Sequence, residues 1–216
     1  MSDHRRNRID LGKMGEQTTR LTIAVRVVDS FTGEVPTTDL TVTVDEFDVL
    51  PVRNPSGYHC FLDLPDDSLT ISVAGGDRYL DVTETVDPAA HVPPATTIEI
   101  HPAPAYRFPP GATLIRGIVR EEGGNSDDDG EKPPIAGARV SLRHIDREAV
   151  TNENGEFVLF ITNITDGDVV QTDDGRRVIT VSGSGPVIEA SHPEYGTVSE
   201  SITIEERSTT RHDLFL

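Results

Sequence analysis

An all-β fold, two tandem antiparallel β-sandwiches behind an extended N-terminal arm, is what three observations on this 216-residue sequence predict. Apolar residues recur at every second position in short runs, the period of a half-buried strand. The 18 glycines and 15 prolines are spread along the whole chain, as many short strands joined by turns require. No segment carries the three-four spacing of an amphipathic helix. With no tryptophan and only 5% aromatic residues, the cores must rely on valine, isoleucine and leucine.

The elements follow in order. Residues 1–17 are polar, lack periodicity and hold Arg5, Arg6, Arg8 and Lys13; they read as a basic arm, either a free terminus or a segment that orders on a partner. From Leu21, the residues Leu21, Ile23, Val25 and Val27 alternate with Thr22, Ala24 and Arg26. Further strands are expected at 40–44, 47–53, 58–63, 69–73, 79–86 and 96–101, separated by turn residues such as Asn54-Pro-Ser-Gly57 and Gly75-Gly-Asp77. These make a first sandwich over 18–101. Residues 102–112 then hold Pro102, Pro104, Pro109 and Pro110, too many prolines for a central strand, and form a semi-rigid linker.

The second sandwich, 113–216, repeats the style. Its expected strands are 113–121, 138–143, 149–151, 156–161, 177–181, 187–191, 197–204 and 209–216. One turn occurs in both halves: Asn54-Pro-Ser-Gly57 precedes Tyr58 much as Asn152-Glu-Asn-Gly155 precedes Glu156 and Phe157. Two related topologies in tandem are the natural reading.

The net charge is −18, and it is spread evenly: residues 18–108 carry −9 and 109–216 carry −10, against +1 on the arm. Such a coat repels nucleic acid and anionic lipid, so neither is expected as a partner. Only Lys13 and Lys132 are lysine, against 17 arginines. Abundant carboxylates with almost no lysine resemble proteins that work in molar salt; a GC-rich genome is the alternative source of arginine in place of lysine. Cys60 is alone and excludes an intramolecular disulfide; between apolar neighbours it reads as an inert thiol. Residues 1–17 show no apolar run of a secretory leader and no stretch reaches the length of a membrane span, so a cytoplasmic location, or a particle assembled there, is expected.

Residues 113–216 resemble the carboxypeptidase regulatory-like (transthyretin-like) domain family. The matching pieces are Gly117-Ile-Val119, Pro134-Ile-Ala-Gly-Ala-Arg-Val-Ser-Leu142, Thr151-Asn-Glu-Asn-Gly-Glu-Phe157, His192-Pro-Glu-Tyr-Gly196 and Arg211-His-Asp-Leu214. The resemblance implies a prealbumin-like or immunoglobulin-like sandwich and an accessory module rather than a catalyst. The first half is similar to a companion domain through Arg26-Val-Val-Asp-Ser-Phe-Thr-Gly33, Val52-Arg-Asn-Pro-Ser-Gly-Tyr58 and the proline-rich 102–111. The combination resembles two-domain proteins of phage-tail-like contractile injection systems. That implies a non-enzymatic structural or adaptor subunit whose partners are other protein subunits. The alternative is a stand-alone carbohydrate- or peptide-binding module.

Candidate chemistry is sparse. Asn125, Asp127 and Asp129, followed by Gly130, match the first half of a calcium loop, but its twelfth position is Ala136 where a bidentate glutamate belongs. A solvated acidic loop with at most weak cation binding is the expectation, and no cofactor is expected. The seven histidines form no His-Glu-x-x-His pattern and no Gly-x-Ser-x-Gly elbow is present. Tyr106 and Phe108 in the linker are the expected contact residues: they pack between the sandwiches and set their angle, or they dock a partner.

The charge pattern carries a test. Screening shrinks to about 3 Å at 1 M salt, which relieves the self-repulsion of the −18 coat. Dialysis into low salt is expected to lower the thermal unfolding midpoint and finally unfold the chain, followed by circular dichroism; a midpoint independent of salt overturns the reading.

Overall fold

The computed structural model describes residues 18–123, 132–181 and 183–216. The chain is all-β, and its only helices are three single 3-10 turns among the described residues. In the first half, β1 (Leu21–Asp29), β2 (Thr41–Val44), β3 (Val52–Arg53), β4 (Tyr58–Leu62), β5 (Leu69–Ala74), β6 (Val82–Val86) and β7 (Ala95–Ile100) form two sheets, ordered β3-β4-β1-β7 and β2-β5-β6. In the second half come β8 (Thr113–Arg120), β9 (Arg139–Leu142), β10 (Ile145–Val150), β11 (Glu156–Ile161), β12 (Val169–Gln171), β13 (Arg177–Ile179), β14 (Val187–His192), β15 (Gly196–Ser201), β16 (Thr209–Arg211) and β17 (Leu214–Phe215). They make a sheet β10-β9-β14-β15, a sheet β11-β8-β16 with β17 also on β8, and a hairpin β12-β13.

The period-two pattern of β1 places Ile23, Val25 and Val27 inside the first sandwich. They meet Phe61, Ile98 and Ile100 from their own sheet and Val42, Val44, Leu69, Ile71 and Val73 from the facing one. The second cluster joins Ile115, Val119, Phe157 and Leu159 to Val140, Leu142, Ile188 and Ala190. Among the described residues, Phe61 on β4 and Phe157 on β11 are the largest fully buried side chains. Each contributes about 2–3 kcal/mol by leaving water.

The two halves share a pairing scheme. Each opens with a strand that pairs antiparallel with the strand after the Asn-x-x-Gly turn, β1 with β4 and β8 with β11. Each closes with a strand parallel to its first: β7 on β1, then β16 and β17 on β8. The sheets holding β1 and β8 are therefore mixed. The turn itself is built twice alike. Asn54 Oδ1 accepts from the amides of Ser56 at 3.0 Å and Tyr58 at 2.9 Å; Asn152 Oδ1 accepts from those of Asn154 at 3.0 Å and Glu156 at 2.9 Å. Gly57 and Gly155 close the two turns at φ +84° and +70°, backbone that favours glycine.

The halves differ at the third strand. β3 stays beside β4, whereas β10 crosses to the other sheet and pairs with β9. The strand expected at 47–53 shrinks to Val52–Arg53, because Phe47 folds back onto Val44 and Pro51 offers no N–H to a ladder. The strand expected at 79–86 begins only at Val82, since the 3-10 turn Gly76–Arg78 turns Tyr79 toward the linker, where it bridges Pro102. β12 was not expected, and the strand expected at 149–151 runs Ile145–Val150.

The strand expected at 209–216 splits into β16 and β17, and Gly117 is involved in the break. A Cβ on Gly117 would stand 1.8 Å from the His212 carbonyl oxygen and 3.0 Å from the Phe157 ring. The chain crosses over Gly117 at closer range than any side chain allows. Gly117→Ala is accordingly expected to cost about 3 kcal/mol of stability, read as a lowered urea midpoint with unchanged slope; a midpoint within error of wild type contradicts the packing described.

Candidate functional site

The joint between the halves is built around one buried carboxylate. It starts from the alternation of β1. Ile23, Val25 and Val27 face the core, and the same period puts Asp29 on the core face at the strand's end. Asp29 is only 2% exposed. An unpaired carboxylate there would cost several kcal/mol. Its Oδ1 accepts from the Phe31 amide at 2.7 Å and the Thr32 amide at 3.3 Å. Its Oδ2 accepts from the hydroxyls of Tyr79 at 2.8 Å and Tyr106 at 2.6 Å. The carboxylate thus ties together the end of β1, the segment before β6 and the linker.

The turn that follows Asp29 presents Phe31 to the second half. Phe31 meets Phe108 edge-on at 5.0 Å and Phe160 of β11 at 5.3 Å between ring centroids. Tyr106 stacks edge-on against Phe108 at 4.6 Å and against Tyr79 at 5.4 Å. These separations suit aromatic pairs, each contributing about 0.5–1.5 kcal/mol beyond burial. Two cations flank the rings: Arg116 lies 5.5 Å over Phe108 and Arg147 lies 5.2 Å over Phe160. Arg116, on β8, also donates to the carbonyl oxygens of Pro104 and Tyr106, clamping the linker onto the second sandwich. Burial pulls its guanidinium below the ordinary value, and nearby Glu156 pulls the other way.

Tyr106 and Phe108 therefore pack between the sandwiches, both half-buried. Sequence reasoning missed their companions Phe31, Tyr79, Phe160 and Arg116, which come from four separate segments. It also missed Asp29, for which a signal existed: an acid in phase with the apolar positions of a strand. Arg5, Arg6 and Arg8, and the acidic-loop residues Asn125, Asp127 and Asp129, lie outside the described residues.

Beside the joint lies a cleft of about 1050 Å³. Asp77 and Asp81 line it from the first half, Asn152 and Glu153 from the Asn-x-x-Gly turn, and Arg211 and His212 from the end of the chain. His212 Nε2 stands 3.0 Å from a Glu200 carboxylate oxygen, and Asp213 accepts from the Ile118 amide at 2.9 Å. Among the described residues that line the cleft there is no serine, threonine or cysteine, and its hydroxyl belongs to Tyr79, which Asp29 engages. Among the described residues, no three His, Cys, Asp or Glu side chains gather as a metal site, and no helix is long and apolar enough to cross a membrane. Cys60 is half-buried on β4.

The hub has a titration signature. Burial, then the hydrogen bond to Asp29, pushes the Tyr106 phenol up to about 12, and the same causes push Tyr79 higher still. A folded-state value above the unfolded 10.0 means stability intact below that pH and lost as pH climbs towards about 12. Tyr106→Phe is expected to reduce that alkaline component of the stability-pH profile, leaving the share that belongs to Tyr79. Asp29→Ala, which strands two hydroxyls and the Phe31 amide, is expected to cost at least about 3 kcal/mol in denaturant unfolding. Asp29→Asn, which keeps an acceptor, should cost less; equal stability of Asp29→Ala and wild type refutes the hub.

No protein family matches the chain, and no curated protein matches it. Among solved structures it is similar to one titled the Bacillus anthracis TIE protein, at 10% identity and a TM-score of 0.27. That match covers 90% of this chain and 33% of the other, so the chain spans about a third of that protein's length.

Proposed function

We propose that the chain is a non-enzymatic structural or adaptor subunit of a large protein assembly, of the phage-tail-like contractile injection kind, in an organism that keeps molar salt inside its cells. The observation that carries the reading is the joint. Two domains on a free linker sample many angles, and relative motion is the ordinary expectation for a small polar interface. Here a buried carboxylate, a ring cluster and an arginine clamp oppose that motion. A fixed angle between two sandwiches serves a part that holds neighbours at a set spacing. A small diffusible ligand makes no such demand.

The carboxypeptidase regulatory-like resemblance of 113–216 agrees with an accessory role, and the acidic coat agrees with molar salt. Its partners would be other protein subunits, met in the cytoplasm or on a particle assembled there. The cleft at the joint favours a second reading, a stand-alone module for a carbohydrate or peptide. With Tyr79 already engaged by Asp29, that cleft has little aromatic surface left for stacking a sugar.

Sedimentation separates the two. Tagged protein expressed in its native host is expected to pellet with a particle of high mass from lysate kept in molar salt. A free species that binds glycans or peptides instead defeats the assembly reading. Replacing Arg5, Arg6 and Arg8 together with alanine is expected to reduce the pelleted fraction several-fold with thermal stability unchanged; undiminished incorporation removes the arm from the docking surface.

A further inference from the structure

We propose that β15 is a self-pairing edge, through which two copies of this chain join antiparallel about a two-fold axis at Ser199. β15 ends the sheet β10-β9-β14-β15, and hydrogen-bond parity shows which of its backbone groups are free. The Arg143 amide donates to the Val187 carbonyl, and the Ile202 amide donates to the Pro186 carbonyl. By strict alternation, Ile188, Ala190 and His192 turn their amides and carbonyls to Glu200, Val198 and Gly196. Thr197, Ser199 and Ser201 turn theirs outward, and all three residues are exposed. No hydrogen bond to those backbone groups exists among the described residues.

Natural edges are blunted by lysine, proline, a bulge or a covering segment. β15 contains no lysine or proline, and its register against β14 runs without a shift. Its sequence also suits itself. With the axis at Ser199, that residue faces its own copy, Thr197 faces Ser201, and Val198 faces Glu200. Every hydrogen-bonding pair is then one whose groups point outward, giving about six new backbone bonds. The pairing doubles the four-stranded sheet.

Charge decides between this edge and its counterpart. In a chain of net charge −18, two copies meet best where unpaired carboxylates are fewest. On the exposed face of its sheet β15 presents the hydroxyls of Thr197, Ser199 and Ser201. Glu200, on its inner side, stands against His212, and Glu189 on the neighbouring strand is held by Arg143 at 2.9 Å and by the Ser199 hydroxyl at 3.0 Å. The matching edge of the first sandwich, β6, carries Glu84 with no cation partner among the described residues, between Asp81 and Asp87. Two copies of β6 would oppose bare carboxylates. The inference is independent of membership in a larger particle.

Sedimentation equilibrium of the purified chain is expected to show a dimer that strengthens as salt rises towards 1 M and above, where the coats are screened. Ser199→Pro removes an outward donor at the axis, a site that tolerates proline within the monomer. Ser199→Lys sets like charges against each other. Each is expected to weaken the dimer at least tenfold without moving the unfolding midpoint. Cysteine substitution reads the register: opposed residues at the axis lie about 5.5 Å apart between Cα atoms, within disulfide range. Ser199→Cys is expected to cross-link between copies on mild oxidation. Ser201→Cys, about 13 Å from its copy, is not, and neither is wild type with Cys60 alone. A wild-type monomer at every salt concentration overturns the proposal and leaves the edge to a strand of a different protein. Equal cross-linking of Ser199→Cys and Ser201→Cys overturns it too, as does full dimerisation of the proline variant.

Discussion

Asp29 is buried, and a buried carboxylate must be satisfied by donors held in place around it. Its four donors come from the turn after β1, from Tyr79 and from Tyr106. Each has consequences elsewhere. Holding Tyr79 goes with the 3-10 turn at Gly76–Arg78 and the late start of β6. Holding Tyr106 fixes the linker, whose next aromatic, Phe108, is then set against Phe31 and Phe160. A single acid on the core face of one strand thereby organises the contact between the halves.

The two sandwiches are variations on one plan, and the differences have local causes. The Asn-x-x-Gly turn is reproduced to within about a tenth of an ångström in its side-chain hydrogen bonds. The first and last strands run parallel in both. The third strand departs from the plan because two residues beside a proline make a short edge strand on β4, whereas the six residues of β10 pair with β9. The approach of the His212 carbonyl over Gly117 marks where β16 gives way to β17.

The surface repeats one economy. Arginine forms local ion pairs, Arg139 with Glu148, Arg143 with Glu189 and Arg177 with both Asp166 and Glu206. Exposed pairs of this kind contribute little individually. With 37 carboxylates against 19 basic side chains, many acids remain unpaired whatever the geometry. Salt therefore acts on the excess charge rather than on any one contact.

Strand positions, turn types and the kinship of the halves were legible in the sequence because each is a local property. Period two in Leu21–Asp29 and the Asn-x-x-Gly spacing depend only on residues near one another in the chain. The phase of Asp29 with Ile23, Val25 and Val27 was legible in the same way, though its partners were not. Tyr79 and Tyr106 lie 50 and 77 residues from Asp29, and nothing in their surroundings announces the meeting. Which sheet a third strand joins, whether a closing strand runs parallel to the first, and which backbone edge is left exposed were decided by tertiary structure alone. Pairing depends on the path of the whole chain through space, whereas periodicity depends only on the next few residues.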